Sequence, residues 1–143
     1  MKIRLLQKND YEQYISLIDE FRPTTFTSQV FTEILNSKPH TMDIWVLHSG
    51  MELVATGTII YEQKFIYNLA KIGHIEDVCV SKNHRKKGYG KMLIEHMLHQ
   101  SKKHGCYKTI LNCSDDNCAF YEKCGLKPRG MCMSILHKDP LDS

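Results

Sequence analysis

The sequence predicts a mixed α/β fold, a mostly antiparallel twisted sheet flanked by helices. Three observations carry this. Stretches rich in β-branched residues recur along the chain, as in Leu53-Val-Ala-Thr-Gly-Thr-Ile-Ile-Tyr61. Between them lie stretches with apolar residues at helical spacing. In the second half, a strand, a glycine-containing loop, a helix and another strand follow one another, a βαβ unit whose right-handed crossover lays the helix on the sheet.

In chain order, residues 3–6 read as a first strand. Asn9 or Asp10 can cap the helix that follows, where Tyr11, Tyr14, Ile15, Ile18 and Phe21 form the apolar stripe. Pro23 ends it, because the residue before proline avoids the α region. Thr27 or Ser28 starts a second helix through Leu35, and Pro39 closes it. Residues 41–48 and 53–61 are strands joined by a turn at Ser49-Gly50, with Gly57 a candidate bulge. Residues 63–70 form an extended connection, and 73–80 a central buried strand. The helix after Gly88 buries Leu93, Ile94, Met97 and Leu98 and stops at Gly105, with Lys102, Lys103 and His104 in its last turn. Residues 107–113 form a strand. A short helix capped by Asp115 or Asp116 runs to Lys123 before Gly125, and 131–136 is a last strand.

At 143 residues, the chain is large enough for one domain with a real core, and its 42% hydrophobic and 24% charged residues suit a globular protein. The formal charge of +3 is too small and too dispersed for a nucleic-acid footprint. No apolar run is long enough to span a bilayer, and Met-Lys-Ile-Arg-Leu-Leu is too short for a signal peptide, so a cytoplasmic protein is expected, with no membrane partner. None of the six cysteines forms C-x-x-C, so reduced, mostly buried thiols are expected. Glu95, His96 and His99 do not make H-E-x-x-H, and no metal is expected.

The central strand leads into Arg85-x-x-Gly88-x-Gly90 at a helix start. Two glycines permit a tight fold that points several N–H groups into one concavity, where unpaired amides and the helix dipole favour an anion. A phosphorylated cofactor is the ligand this suggests. It is not the familiar phosphate loop: Lys91 follows Gly90, but Met92 stands where Ser or Thr would bind. Taken alone, the same residues also suit a basic surface turn.

The order of elements and this loop resemble the GNAT acetyltransferase superfamily. The blocks Gly73-His-Ile-Glu-Asp-Val-Cys-Val80, Gly105-Cys-Tyr-Lys-Thr-Ile-Leu-Asn-Cys113 and Asn117-Cys-Ala-Phe-Tyr-Glu-Lys-Cys-Gly125 resemble, more narrowly, glucosamine-6-phosphate N-acetyltransferases. The likeness is dense from residue 64 to 125. It implies one GNAT domain over residues 1–143, acetyl transfer from acetyl-CoA to the 2-amino group of D-glucosamine 6-phosphate, and a homodimer with shared active sites.

The resemblance also implies roles. Val78, Cys79 and Val80 would lie against acetyl-CoA by their main chain, and the Val78 amide would polarise the thioester carbonyl. Arg85, Lys86, Lys87, Gly88, Tyr89, Gly90 and Lys91 would hold the pyrophosphate. Asn112, Asn117, Phe120, Tyr121 and Lys123 would complete the cofactor site. Tyr121 is the leading catalytic candidate, since a phenol can give the leaving thiolate a proton. Glu76 and Asp77 would meet the sugar, with Glu76 also catalytic, and strict alternation would point the pair to opposite faces. Lys64, Phe65, Ile66, Tyr67 and Arg22 would bind substrate, the two basic residues near its phosphate. Read without the resemblance, the valines and Tyr121 also suit plain core, Asn117 a cap, and Arg22 and Lys64 a solvated surface.

Two residues depart from the family pattern. Asn112 stands where the family carries an acid proposed as a base, and Asn cannot take a proton. Only His137 is near the place of a basic substrate residue at the C-terminus. The rival readings are acetyl transfer to a protein N-terminus, lysine or polyamine, or an acetyl-CoA-binding protein without turnover.

Overall fold

A computed structural model describes residues 1–141. The chain divides into two compact units, Met1–Leu111 and Asn112–Ser143.

The first unit contains a five-stranded sheet in the order β1-β2-β3-β4-β5. Its strands are β1 (Lys2–Leu5), β2 (Met42–Ser49), β3 (Glu52–Gln63), β4 (Lys71–Val80) and β5 (Cys106–Ile110). The first four pair antiparallel, and β5 pairs parallel to β4 after the crossover helix. This matches the mixed, mostly antiparallel sheet expected. Strand β5 is shorter than expected, ending at Ile110, so Asn112 and Cys113 lie outside it.

Helices α1 (Tyr11–Phe21), α2 (Ser28–Ser37) and α4 (Tyr89–Lys103) cover the sheet. Side chains alternate along a strand, so neighbouring positions report opposite faces. Trp45 meets His96 of α4 with ring centroids 4.4 Å apart, whereas its neighbour Val46 joins Leu6, Phe31 and Leu53 in a core cluster with Tyr11, Tyr14 and Leu35. Helix α4 therefore lies on one face, and α1 and α2 on the other. On the α4 face, Leu93, Ile94 and Met97 are fully buried. Gly57 and Gly73 are where the helix comes closest: a Cβ on Gly57 would lie 2.7 Å from Met97 Cε, and one on Gly73 would collide with Ser101 Oγ.

The caps explain where the helices start. Thr27 accepts from Val30 N at 3.2 Å, as a threonine cap should. Asp10 sits at the N-cap of α1 but turns its carboxylate back, taking Gln7 N at 2.8 Å and both Arg4 amino groups at 2.8 and 2.9 Å.

The second unit is built on α5 (Asp115–Lys123). Its N-cap is Ser114, one residue before the aspartates expected there, which lie instead in the first turn beside the positive end of the dipole. A Schellman motif closes it: Leu126 N donates to Tyr121 O and Gly125 N to Glu122 O, with Gly125 at φ 99°. The strand expected over 131–136 is not present. That stretch has strand-like alternation, but no neighbouring strand among the described residues accepts its main-chain hydrogen bonds, so it stays irregular and exposed. The thiols also depart from expectation. Only Cys79 is buried, and Cys113 and Cys132 are exposed, because β5 ends early and the last strand is missing.

Candidate functional site

Strand β4 supplies a free edge. Its pairing with β5 covers only Lys71–His74, so among the described residues the segment from Ile75 to Val80 has no strand on that side. Ser81 N donates across to Val54 O of β3 at 2.8 Å. Main-chain groups alternate in direction along a strand. Cys79 is thus turned towards β3, while the amides of Val78 and Val80 face the open edge. These are the two valines expected to contact the cofactor through their main chain, and the arrangement can accept an extended amide-bearing chain as an added strand.

A bulge interrupts β4 at the same place. Thr56 pairs with Cys79 and Thr58 with Glu76, so Asp77 and Val78 stand opposite the single residue Gly57. Asp77 takes a left-handed φ of 51°. The extra residue resets the alternation. Ile75 and Val78, three apart, both serve the α4 face: Ile75 pairs with Ile59, and a Val78 methyl carbon lies 3.4 Å from where a Gly57 Cβ would stand. The regular alternation from which Glu76 and Asp77 were expected on opposite faces breaks at this bulge, and both residues are exposed.

After β4, a 3-10 turn (Lys82–His84) leads to Arg85, Lys86, Lys87 and Gly88, and α4 begins at Tyr89. Lys86 (φ 64°) and Gly88 (φ 82°) are both left-handed and flank Lys87, which folds successive amides into a concavity. Among the described residues no side chain caps α4, so the first amides of this 15-residue helix stay available, and Arg85, Lys86, Lys87 and Lys91 put positive charge in the same loop and first turn, Lys91 within 3.7 Å of Glu95. The loop takes the concave form expected from the glycine spacing, a cradle of main-chain amides. Its supports were not legible in the sequence. His84 Nε2 lies 3.4 Å from Glu52 Oε2, and Glu20 accepts from Lys82 N at 3.3 Å. Both partners are distant in the chain, and no local pattern links them.

Burial pushes the Cys79 thiol up to about 12, with Glu20 and Asp77 adding to the effect, so it is no nucleophile at neutral pH.

The connection expected to be extended over 63–70 is instead a tight turn. The one-turn segment α3 (Ile66–Leu69) carries Tyr67, Asn68 and Leu69 at φ 50°, 58° and 69°. Consecutive left-handed residues cost about 1–2 kcal/mol each. The turn is held by Lys64 N on Ala70 O at 2.8 Å and by Gln63 Nε2 on Lys64 O and Leu69 O at 2.9 and 3.0 Å. Phe65, Ile66 and Tyr67 are exposed despite their size, Phe65 to 90%. Lys64 pairs with Glu62 at 3.1 Å, and Glu62 also meets His74 Nε2 at 2.8 Å. Arg22 is exposed at the end of α1, its guanidinium 4.3 Å above the Phe21 ring. An apolar cavity of about 200 Å³ lies among α1, α2 and β1–β2, lined by Leu6, Tyr14, Phe31, Leu35 and Ile44. It holds none of the residues expected to act.

In the second unit, Asn117, Phe120, Tyr121 and Lys123 ride on α5, and Asn112 precedes it, exposed. Asn117 lies in the first helical turn and is not the cap. Tyr121 is half-buried, edge-on to Phe120 with centroids 5.0 Å apart. Burial raises its phenol above the ordinary value, with Cys113 and Cys124 adding to the effect, so it keeps its proton at neutral pH.

The acetyltransferase (GNAT) family model matches residues 9–126. The chain belongs to this family. Among its GNAT relatives, glucosamine 6-phosphate N-acetyltransferase 1 of Dictyostelium discoideum is 34% identical over 98% of this chain and 93% of that protein. The glucosamine 6-phosphate N-acetyltransferase of Arabidopsis thaliana is 36% identical over 93% of this chain and 94% of that protein. A crystal structure of the Arabidopsis enzyme superposes with a TM-score of 0.87, covering 96% of this chain and 98% of that one. A Trypanosoma brucei acetyltransferase, 26% identical, gives the same TM-score over 94% of this chain and 97% of that one. The free edge and the glycine loop both lie within the matched residues.

Proposed function

We propose that this protein transfers the acetyl group of acetyl-CoA to the 2-amino group of D-glucosamine 6-phosphate, giving N-acetyl-D-glucosamine 6-phosphate and CoA. The observation that carries the reading is the likeness, nearly end to end, to relatives named for that activity. The family match runs through both compact units, which supports one acetyltransferase domain. We place the reaction in the cytoplasm, on the route to UDP-N-acetylglucosamine.

The cradle from Arg85 to Lys91 binds the CoA pyrophosphate, and the Val78 and Val80 edge takes the pantetheine arm. The Val78 amide donates to the thioester oxygen as negative charge develops there. The amine attacks the carbonyl carbon directly in a ternary complex, so proximity supplies much of the rate. When the C–S bond breaks, Tyr121 gives its proton to the departing sulfur, a role its raised phenol suits. Asn112 cannot collect the proton from the amine, so Glu76, exposed on β4, takes that part through water. Lys64, Arg22 and the strained, solvent-facing turn at Phe65, Ile66 and Tyr67 meet the sugar phosphate, with Asp77 at its hydroxyls.

A homodimer with shared sites completes the reading. It is supported by the exposed, strand-patterned stretch from Met131 to Leu136.

The test is acetyl transfer read by mass spectrometry against glucosamine 6-phosphate, glucosamine, glucosamine 1-phosphate, spermidine and a lysine peptide. Acetylation of glucosamine 6-phosphate alone supports the reading. Acetylation of another amine, or binding of acetyl-CoA without turnover, replaces it with one of the two rivals.

A further inference from the structure

We propose that Cys113 and Cys118 form an oxidisable dithiol at the start of α5, a modification site that takes a peroxide as oxidant and closes to a disulfide. The geometry of the cap carries this. Ser114 is the N-cap of α5, in extended conformation at ψ 161°. Cys113 therefore holds the position before the cap, and Cys118 the fourth helical position. At these two positions, apolar side chains pack across a helix start as a hydrophobic staple. Here both are thiols. Cys113 is exposed and Cys118 partly so, and both are free. Cys118 donates through Sγ to Glu122 Oε1 at 3.4 Å, one turn further along. The Cys118 thiol is raised, chiefly by that hydrogen bond, with burial, Glu122, Cys113 and Asp115 adding to the effect.

The roles follow from these differences. Cys113, exposed beyond the helix, attacks a peroxide oxygen as thiolate. The O–O bond breaks, water leaves, and Cys113 becomes a sulfenic acid. Cys118 then attacks the Cys113 sulfur while its proton passes to the Glu122 carboxylate. The S–O bond breaks, and the departing hydroxide leaves as water. Two thiols and one peroxide give one disulfide and two waters. A reducing cytoplasm reverses the bond, the setting in which disulfides serve as transient sensors. The closed loop would contain Asn117 and end one helical turn before Tyr121. Its effect on acetyl transfer rests on the function proposed above; the pairing does not.

The sequence makes the test clean. Trypsin releases residues 109–123 as one peptide, which holds Cys113 and Cys118 and no other cysteine. The reduced full-length protein is treated with hydrogen peroxide, blocked with N-ethylmaleimide and digested without reductant. Peptide 109–123 should appear unalkylated and lighter by two hydrogen atoms, and dithiothreitol should restore both alkylation sites. Cys118→Ser should leave Cys113 as a sulfenic acid that dimedone traps. Doubly alkylated peptide after peroxide, a cross-link from this peptide to the one carrying Cys124, or over-oxidised Cys113 without a disulfide would each overturn the pairing. Turnover should fall with the cross-linked fraction, and Cys113→Ser and Cys118→Ser should keep their turnover in peroxide. A cross-link with unchanged turnover would remove the effect on catalysis while leaving the site.

Discussion

In the reaction proposed here Tyr121 is the proton donor, because burial disfavours its phenolate and a phenol that stays protonated is of use only to a leaving group that needs a proton. Tyr121→Phe keeps the ring beside Phe120 and removes the hydroxyl. It should lower kcat about 100-fold, the scale of a lost general acid, while calorimetry finds acetyl-CoA affinity nearly unchanged. Equal loss in both would make Tyr121 a binding residue. Two other residues set the response to acid. Burial lowers His96 in the folded protein, with His99 adding to the effect, and its Nε2 has no hydrogen-bond partner. The unfolded chain therefore binds the proton first, so this contribution is present above the ordinary value of 6.5 and fades as pH falls towards the folded value. Asp10 is lowered chiefly by its hydrogen bonds to Arg4, with Gln7 N contributing. Its contribution is present above the ordinary 3.8 and is lost as pH drops through the folded value. Urea midpoints should therefore decline in two stages as the solution is acidified, and His96→Asn should flatten the first while leaving the second.

At the scale of elements, the site depends on how α4 lies on β3 and β4. Gly73 has no room for a side chain: Ser101 above it is fully buried and accepts from Thr109 Oγ1 at 2.7 Å. Gly73→Ala should cost about 1–3 kcal/mol, the range for overpacking a tight contact, read as a lower thermal midpoint. Adding Ser101→Ala should recover part of the loss, since it removes the atom in collision, and that coupling separates a local clash from a general strand effect. The bulge in β4 is the other device of this scale. It was legible only as a glycine in β3, because a bulge arises when two strands pair out of step, and a single strand carries no record of its partner's register. For that reason the alternation argument failed at Glu76 and Asp77, though it served along Trp45 and Val46, where the ladder is regular. The tight turn at Tyr67 was missed for a related reason. Tyr, Asn and Leu carry no strong left-handed preference as a run, and the turn is imposed by Gln63, Lys64 and Ala70 closing its base.

For the whole molecule, the stretch from Met131 to Leu136 bears on assembly. Met131, Met133 and Ile135 alternate along it and are exposed to 93%, 91% and 78%. An apolar row of this kind is stable when a neighbouring chain covers it. Light scattering should find a dimer, and replacing Met131, Met133 and Ile135 together with Ser should shift it towards monomer; an unchanged mass would place the interface elsewhere. The sequence by itself determined the order of the first five strands and of the helices α1, α2, α4 and α5, the glycine-stopped end of α4, and the glycine loop that precedes it. These are local properties: spacing of apolar side chains, the conformational freedom of Gly88 and the amides of a helix start all act within a few residues. Tertiary structure alone decided that Val78 and Val80 face an open edge, that the β4 bulge brings Ile75 and Val78 to one face, and that His84 and Glu52 support the loop. It also decided that 131–136 does not pair. Each of these needs a partner far away in the chain or outside it, and a hydrogen bond or a buried contact exists only once both partners are in place.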